Sequence, residues 1–142
     1  MVEQWAVAEA PSPACTATRS IESAAAVASV GGLLADPTHI PRWAPAFADS
    51  ISGDTVSGRR VSKAGRVFAL RVVVNHDSGT VDYLREVAPG REGGAYIRVT
   101  PRPGGGSVIV MTLPFLPDVD PADTATTLAR ELIALVSLIE GR

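Results

Sequence analysis

Between residues 47 and 115 the chain alternates short β-type runs with clusters of turn residues, and this pattern limits the possible folds more than any other feature. The turn clusters lie at residues 52–54, 63–65, 77–79, 89–94 and 101–106. Runs of this length between turns are typical of strands that pair with their neighbours in sequence. The pattern predicts a meander of six antiparallel strands.

A strand and two short helices are predicted before the meander. Residues 15–21 alternate small and polar side chains, as a strand does, and Glu22 and Ser23 then open an alanine-rich helix. Pro37 disfavours helix in the residue before it and can itself begin another helix. A second short helix is therefore expected over residues 38–45.

A longer amphipathic helix is predicted after the meander. Asp120 or Asp123 can cap its first turn, and the helix is expected to run to Ile139, before Gly141. This stripe of apolar side chains is expected to pack against the sheet: Leu128, Leu132, Leu135, Val136 and Ile139.

The length and composition indicate one folded domain that does not bind nucleic acid. The chain has 142 residues, of which 46% are hydrophobic and 20% charged, enough to bury a core without disulfides or metals. A net charge of -2 with scattered Lys and Arg leaves no basic excess to neutralise phosphates. Residues 1–13 are expected to form a flexible segment and residues 14–142 a single domain.

The sequence also indicates a cytoplasmic protein. Its N-terminal residues lack the cationic region and continuous apolar core of a signal peptide. No segment has the run of about 18 apolar residues that a membrane span requires. Cys15 is the single cysteine, which excludes an internal disulfide and suits a reducing compartment.

Several segments match a pattern known from bacterial proteins. Residues 33–37 read LLADP and residues 40–45 read IPRWAP, which is similar to the helix pair of polyketide-cyclase-like proteins. Residues 81–83 and the turn at 103–106, with the residues that follow it, also match. Over residues 14–142 the chain resembles the START, pollen-allergen and polyketide cyclase/dehydrase superfamily (SRPBCC) in its order of elements.

The resemblance implies an α+β helix-grip fold of β-α-α-β6-α order. In this fold an antiparallel sheet wraps around the long C-terminal helix and encloses an internal cavity. The superfamily has no shared catalytic signature, and its members include polyketide aromatase/cyclases, lipid carriers and hormone receptors. The implied partner is a hydrophobic small molecule, and no cofactor or metal is expected. Whether the protein forms a homodimer is left open.

The hairpin around residues 77–79 decides which face of the sheet lines that cavity. A two-residue Ser78-Gly79 turn would pair Arg71 with Glu86, whereas a three-residue loop would oppose Arg71 and Arg85. Because like charges directly opposite each other are unfavourable, the two-residue turn is predicted. The inward face then carries Phe68, Leu70, Val72, Val74, His76, Val81, Tyr83, Arg85 and Val87.

The facing of the next strand is left open by the sequence. Either Tyr96 and Arg98 or Ile97 and Val99 point inward, depending on the turn residues, and Tyr96 is the favoured choice.

Three residues are the candidate catalytic groups. Arg85 on an apolar face must find a carboxylate or a ligand anion, unless it reaches water at the end of the sheet. Glu131, at the margin of the helix stripe, is either a proton acceptor or partner of Arg85, or a solvated flank residue. Tyr83 either orients a ligand carbonyl or phenol with its hydroxyl, or is a core tyrosine bonded to a backbone carbonyl.

A further set of side chains is expected to contact the ligand. For two of them another interpretation competes, since Trp43 is also a packing residue and His76 abuts an exposed turn. His39 has no partner at metal-ligand spacing and is expected at the surface, so no metal site is predicted. The expected contacts are Trp43, Phe68, Leu70, Val72, His76, Tyr96, Met111 and Leu128.

The leading hypothesis is a polyketide-cyclase-like enzyme that needs no cofactor. It would bind a hydrophobic oxygenated molecule and promote its cyclisation or dehydration by holding it folded beside one or two proton-transfer groups. A noncatalytic lipid or small-molecule carrier of the same fold is the main alternative. A third class is an interaction protein whose cavity is filled by its own side chains.

Overall fold

One antiparallel sheet of seven strands dominates residues 16–114 and 119–142, which the computed structural model describes. Its strands run in the order β1-β7-β6-β5-β4-β3-β2. Strands β2 to β7 are the predicted six-strand meander. The strands are β1 (Thr16–Ser23), β2 (Ser50–Asp54), β3 (Gly58–Lys63), β4 (Arg66–Asn75), β5 (Thr80–Ala88), β6 (Arg91–Pro101) and β7 (Ser107–Pro114). The expected flexible segment at 1–13 and Cys15 lie outside the described residues.

Three α-helices complete the described chain: α1 (Val27–Ala35), α2 (Ile40–Trp43) and α3 (Pro121–Ile139). The Asp36 carboxylate caps a 3₁₀ turn before α2 by accepting a hydrogen bond from the Thr38 amide at 3.1 Å. Asp120, one of the two predicted caps, accepts from the Ala122 amide at 2.9 Å and opens α3. The predicted β-α-α-β6-α order is therefore confirmed.

The predicted start of the first helix is wrong. Glu22 and Ser23 belong to β1, where they pair with β7, and α1 begins four residues later. The Ser23 hydroxyl accepts from the Ala25 amide at 3.1 Å and donates to the Glu140 carboxylate at 2.8 Å. These bonds turn the chain and delay the helix. The second helix is also shorter than the predicted 38–45, because a 3₁₀ turn takes up its first residues.

The predicted two-residue turn between β4 and β5 is wrong as well. Asn75 pairs with Thr80, so the loop has four residues, and Arg71 lies opposite Leu84 instead of Glu86. Arg71 reaches across β5 instead, and its Nη2 lies 2.6 Å from Oε1 of Glu92.

The four-residue loop is closed by polar and backbone contacts. The Asn75 side chain accepts from the Ser78 amide at 3.1 Å. Gly79 has a φ of +71°, and its carbonyl accepts from the Val99 amide at 2.7 Å. A Cβ atom at Gly79 would collide with the Val99 carbonyl, so glycine is required there.

The inward face was predicted correctly although the register was wrong. The observed pairing is shifted from the predicted one by two residues, and side chains alternate with a period of two. Tyr83 and Val81 are buried as expected, whereas Arg71 and Asn75 are exposed on the other face. Arg71 and Arg85 therefore lie on opposite faces. The side chain of Val87 lies outside the described part.

The expectation that Tyr96 points inward is wrong. Ile97 and Val99 are each 2% exposed, whereas Tyr96 is 43% exposed on the outer face. Burying Ile97 and Val99 removes apolar surface from water, whereas the opposite facing would bury the charge of Arg98.

Helix α3 packs against β1, β7 and α2 with its predicted apolar stripe. Leu128, Leu132 and Leu135 are buried, and Ile139 is half-buried. At its end, Glu140 accepts hydrogen bonds from the Ser23 hydroxyl and the Ala24 amide, the second at 3.1 Å. The first half of α3 borders a cavity.

Candidate functional site

A cavity of about 340 Å³ lies between the sheet and the first half of α3 and is partly open to solvent. Most of its wall is apolar. Thr124, Thr127 and Glu131 line it from α3, and their spacing of three and four places them on one helix face. The apolar wall includes Ile40, Trp43, Phe47, Ala95, Met111 and Leu113.

Arg85 brings a positive charge to this wall. Its guanidinium carbon lies 4.5 Å from the ring centre of Phe68 and 5.8 Å from that of Phe47. Burial lowers the pKa of the guanidinium, but arginine stays charged in proteins. Within the described chain no carboxylate lies within 4.0 Å of it, and no protein acceptor takes its N–H groups.

Glu131 is a buried carboxyl group on the opposite side of the cavity. Its side chain is among the few buried polar groups, with 6% exposure, so the interpretation as a solvated flank residue is wrong. It makes no ion pair with Arg85 at 4.0 Å or less. Burial raises the pKa of Glu131 from 4.5 to about 7. A carboxyl group of this kind can donate and accept a proton near neutral pH.

Tyr83 contributes its ring to the wall, but its hydroxyl is already bonded. The hydroxyl donates to the Leu34 carbonyl at 2.5 Å, and the ring lies 6.1 Å from that of Trp43. Burial and the nearby Asp36 carboxylate raise the pKa of Tyr83, so the phenol stays protonated. The interpretation as a core tyrosine holds for the hydroxyl, which satisfies a carbonyl in the last turn of α1.

The substitution Tyr83→Phe is therefore expected to act on stability. It should lower the free energy of unfolding by about 1 to 3 kcal/mol, because the buried Leu34 carbonyl loses its donor. Urea denaturation of the parent and the variant measures the difference. Val73→Ala, on the exposed face of the neighbouring strand, is the control, and an equal loss in both would contradict the prediction.

The structure divides the predicted ligand contacts into three groups. Trp43 and Met111 line the cavity, whereas Phe68 does not line it but packs against the guanidinium of Arg85. Leu70, Val72 and Leu128 belong to the hydrophobic core or pack against it, outside the cavity wall. His76 is exposed beside a separate groove along α1, and Tyr96 is on the outer face.

Most of the lining residues that the structure describes were not predicted from the sequence. Thr124 and Thr127 share a helix face with Glu131, and that spacing is a signal that the sequence carries. Phe47 lies in the connection between α2 and β2, where no periodicity indicates its direction. Lys63 lies at the wall with its charge engaged, since Nζ donates to the Pro45 carbonyl at 2.8 Å and to Asp49 at 3.1 Å.

The described residues hold no cluster of three or more His, Cys, Asp or Glu side chains that would suit a metal ion. In the same part of the chain, no helix combines the length and apolarity that crossing a bilayer requires.

Residues 14–136 match the family described as polyketide cyclase/dehydrase and lipid transport. The chain belongs to this polyketide cyclase/dehydrase family. Among curated proteins, none matches the sequence.

Several solved structures share the fold of this chain, among them an aromatase/cyclase and a START superfamily protein. The ZhuI aromatase/cyclase from Streptomyces sp. R1128 is 16% identical, with a TM-score of 0.61 over 89% of this chain and 94% of that one. A START superfamily protein from Mycobacterium smegmatis is 16% identical, with a TM-score of 0.65 over 90% and 99%. The protein XoxI from Bacillus cereus is 18% identical, with a TM-score of 0.65 over 89% and 96%. The helix-grip fold is thereby confirmed.

Proposed function

We propose that this protein binds a hydrophobic, oxygenated small molecule in the cavity and promotes its cyclisation or dehydration. The observation that carries the proposal is Glu131, a buried carboxyl group with a pKa raised by burial to about 7, in an apolar cavity that also holds Arg85. A volume of 340 Å³ lies within the range of about 300 to 1,000 Å³ that is typical of small-molecule sites.

The two polar groups suit the charge changes of an aldol cyclisation. In its ionised form Glu131 takes a proton from a carbon next to a carbonyl group, and Arg85 stabilises the enolate oxygen that forms. That carbon attacks a second carbonyl, whose oxygen takes up a proton. For dehydration, protonated Glu131 gives its proton to the leaving hydroxyl, water departs, and the neighbouring carbon loses a proton to solvent as the double bond forms. The apolar wall holds the ligand folded for this reaction.

A noncatalytic carrier is the second candidate function. The family description includes lipid transport, and the cavity is partly open to solvent, as a site that loads and releases a ligand must be. Arg85 and Glu131 would then bind the ligand's oxygens without moving protons. For either function, we propose that the protein acts in the cytoplasm and forms a homodimer.

A linear aryl triketone, 1-phenylhexane-1,3,5-trione, tests the enzymatic function. Its cyclisation with loss of one water gives 3,5-dihydroxybiphenyl, which chromatography measures. We expect the parent to accelerate this reaction, and Glu131→Gln to lower kcat by about 10² to 10⁴. Glu86→Gln, which removes an exposed carboxylate from the outer face, is the matched control. Tight binding of the triketone without acceleration over buffer would favour the carrier.

Arg85→Met tests the second polar group in the same assay. The variant keeps most of the apolar volume but loses the charge, so kcat/KM should fall about tenfold to hundredfold. Arg98→Met, on the exposed face of β6, is the control. Equal kinetics of Arg85→Met and Arg98→Met would remove Arg85 from the proposed site.

A further inference from the structure

We propose that the natural ligand is a free apolar carboxylic acid, whose carboxylate binds Arg85 and whose binding requires the protonated form of Glu131. The proposal rests on the proposed function, because it names the ligand class of the same cavity. It selects the dehydration over the cyclisation, because Glu131 enters the dehydration in its protonated form and Arg85 is occupied by the carboxylate. It separates a free acid from an ester or ketone of the same shape.

The arrangement of Arg85 leaves its hydrogen-bonding edge for a ligand. Phe68 and Phe47 contact the guanidinium from their ring faces, and a ring face does not accept the five N–H groups as a carboxylate does. Lys63, the other cation at the wall, is already bonded to Asp49 and to the Pro45 carbonyl. A carboxylate matches the guanidinium with two parallel hydrogen bonds.

Glu131 forms no ion pair with Arg85. The pair makes no contact at 4.0 Å or less, and Glu131 accepts no hydrogen bond within the described chain. An ionised Glu131 would repel a carboxylate bound in the same apolar cavity, where charges are weakly screened. Protonated Glu131 removes that repulsion. The cavity therefore suits an anion only when Glu131 holds its proton.

No charged group around α3 forms an ion pair that would stabilise ionised Glu131 in the described part of the chain. Tyr83, Arg85 and Lys63 face Glu131 across the cavity. The strand β7 and the helix α1 contribute no ionisable side chain, while β1 and α2 carry exposed ones that form no ion pair with Glu131. These exposed groups are Arg19, Glu22 and Arg42. Burial is the cause of the raised pKa of Glu131, and it places the transition near pH 7.

Two naphthalene probes of the same shape test the ligand class. 2-Naphthoate carries a carboxylate at both pH 6 and pH 8, and methyl 2-naphthoate carries none. At pH 6 we expect the parent to bind the acid at least tenfold more tightly than the ester, as measured by calorimetric titration. Arg85→Met should remove this preference and leave the ester affinity within about threefold of the parent. Arg98→Met should keep the preference.

The pH dependence tests the role of Glu131. From pH 6 to pH 8 the affinity of the parent for 2-naphthoate should fall about tenfold, because the fraction with protonated Glu131 falls by that factor. The ester should bind equally at both values. Glu131→Gln should bind the acid equally at pH 6 and pH 8, whereas Glu86→Gln should behave like the parent.

Each contrary result has a distinct meaning. Equal binding of acid and ester by the parent overturns the carboxylate proposal and leaves the proposed function standing. Failure of both probes to bind overturns both. A preference that persists in Arg85→Met overturns the role of Arg85. If Arg85→Met does not fold, Arg85→Lys replaces it, and an undiminished preference in that variant overturns the paired hydrogen bonds.

Discussion

Replacing Leu132 with alanine will lower the free energy of unfolding by about 2 to 5 kcal/mol. The side chain is 2% exposed and belongs to the hydrophobic core that α3 forms with the sheet. Truncation removes apolar contacts and leaves a cavity that the surrounding strands cannot fill. Urea denaturation, analysed as a two-state transition, measures the loss.

The next residue along α3 provides the control. Ile133 is 61% exposed, so Ile133→Ala should change the free energy of unfolding by less than about 0.5 kcal/mol. A loss below about 1 kcal/mol for Leu132→Ala would mean that the sheet does not grip this helix.

Raising the pH from 4 to 8 will destabilise the parent by as much as about 3 kcal/mol through Glu131. The pKa of this carboxyl is raised from 4.5 to about 7 by burial in the folded protein. Between these values the unfolded chain has lost the proton that the native protein keeps. The stability contribution is therefore complete below pH 4.5 and lost as the pH rises through 7.

Glu131→Gln removes this dependence. At pH 8 the variant should be more stable than the parent by up to the same amount, because no buried charge forms, and near pH 4 the two should be similar. Glu86→Gln, which alters an exposed carboxylate, should follow the parent. Parallel pH profiles of the parent and Glu131→Gln would show that Glu131 ionises without penalty.

Local signals explain why the order of elements could be predicted. The order of the strands and the stripe of α3 depend on residues close together in sequence, and both were confirmed. Two predicted turns were misplaced, because residues 52–54 lie in β2 and residues 91–94 lie in β6. The boundary between β1 and α1 depends on Ser23 and its bond to Glu140, which is 117 positions away. No local pattern carries that contact, so the predicted helix began too early.

For the β4–β5 hairpin, the predicted pairing of residues was wrong, but the predicted direction of the side chains was correct. The charge argument considered partners on the adjacent strand only, whereas Arg71 pairs with Glu92 on the strand beyond it. The error was two residues, and the period of a strand is also two. Tyr83 and Arg85 therefore keep the inward direction that the sequence predicted.

The candidate site was predicted where a polar residue interrupts an apolar pattern. Arg85 and Glu131 are such interruptions, and the structure brings both to one cavity. Tyr96 was misplaced because the turn before β6 leaves two registers open. Phe47 was missed because it lies in a connection, where side-chain direction depends on tertiary packing alone.

The Ser23–Glu140 contact has a consequence for how the protein folds as it is synthesised. Strand β1 leaves the ribosome first, yet its partner strand is β7 and its end is bonded to Glu140. The hairpins from β2 to β7 join neighbours in sequence and can form while translation continues. Strand β1 must therefore wait with an unpaired edge until β7 has emerged, and its end must wait until Glu140 has emerged.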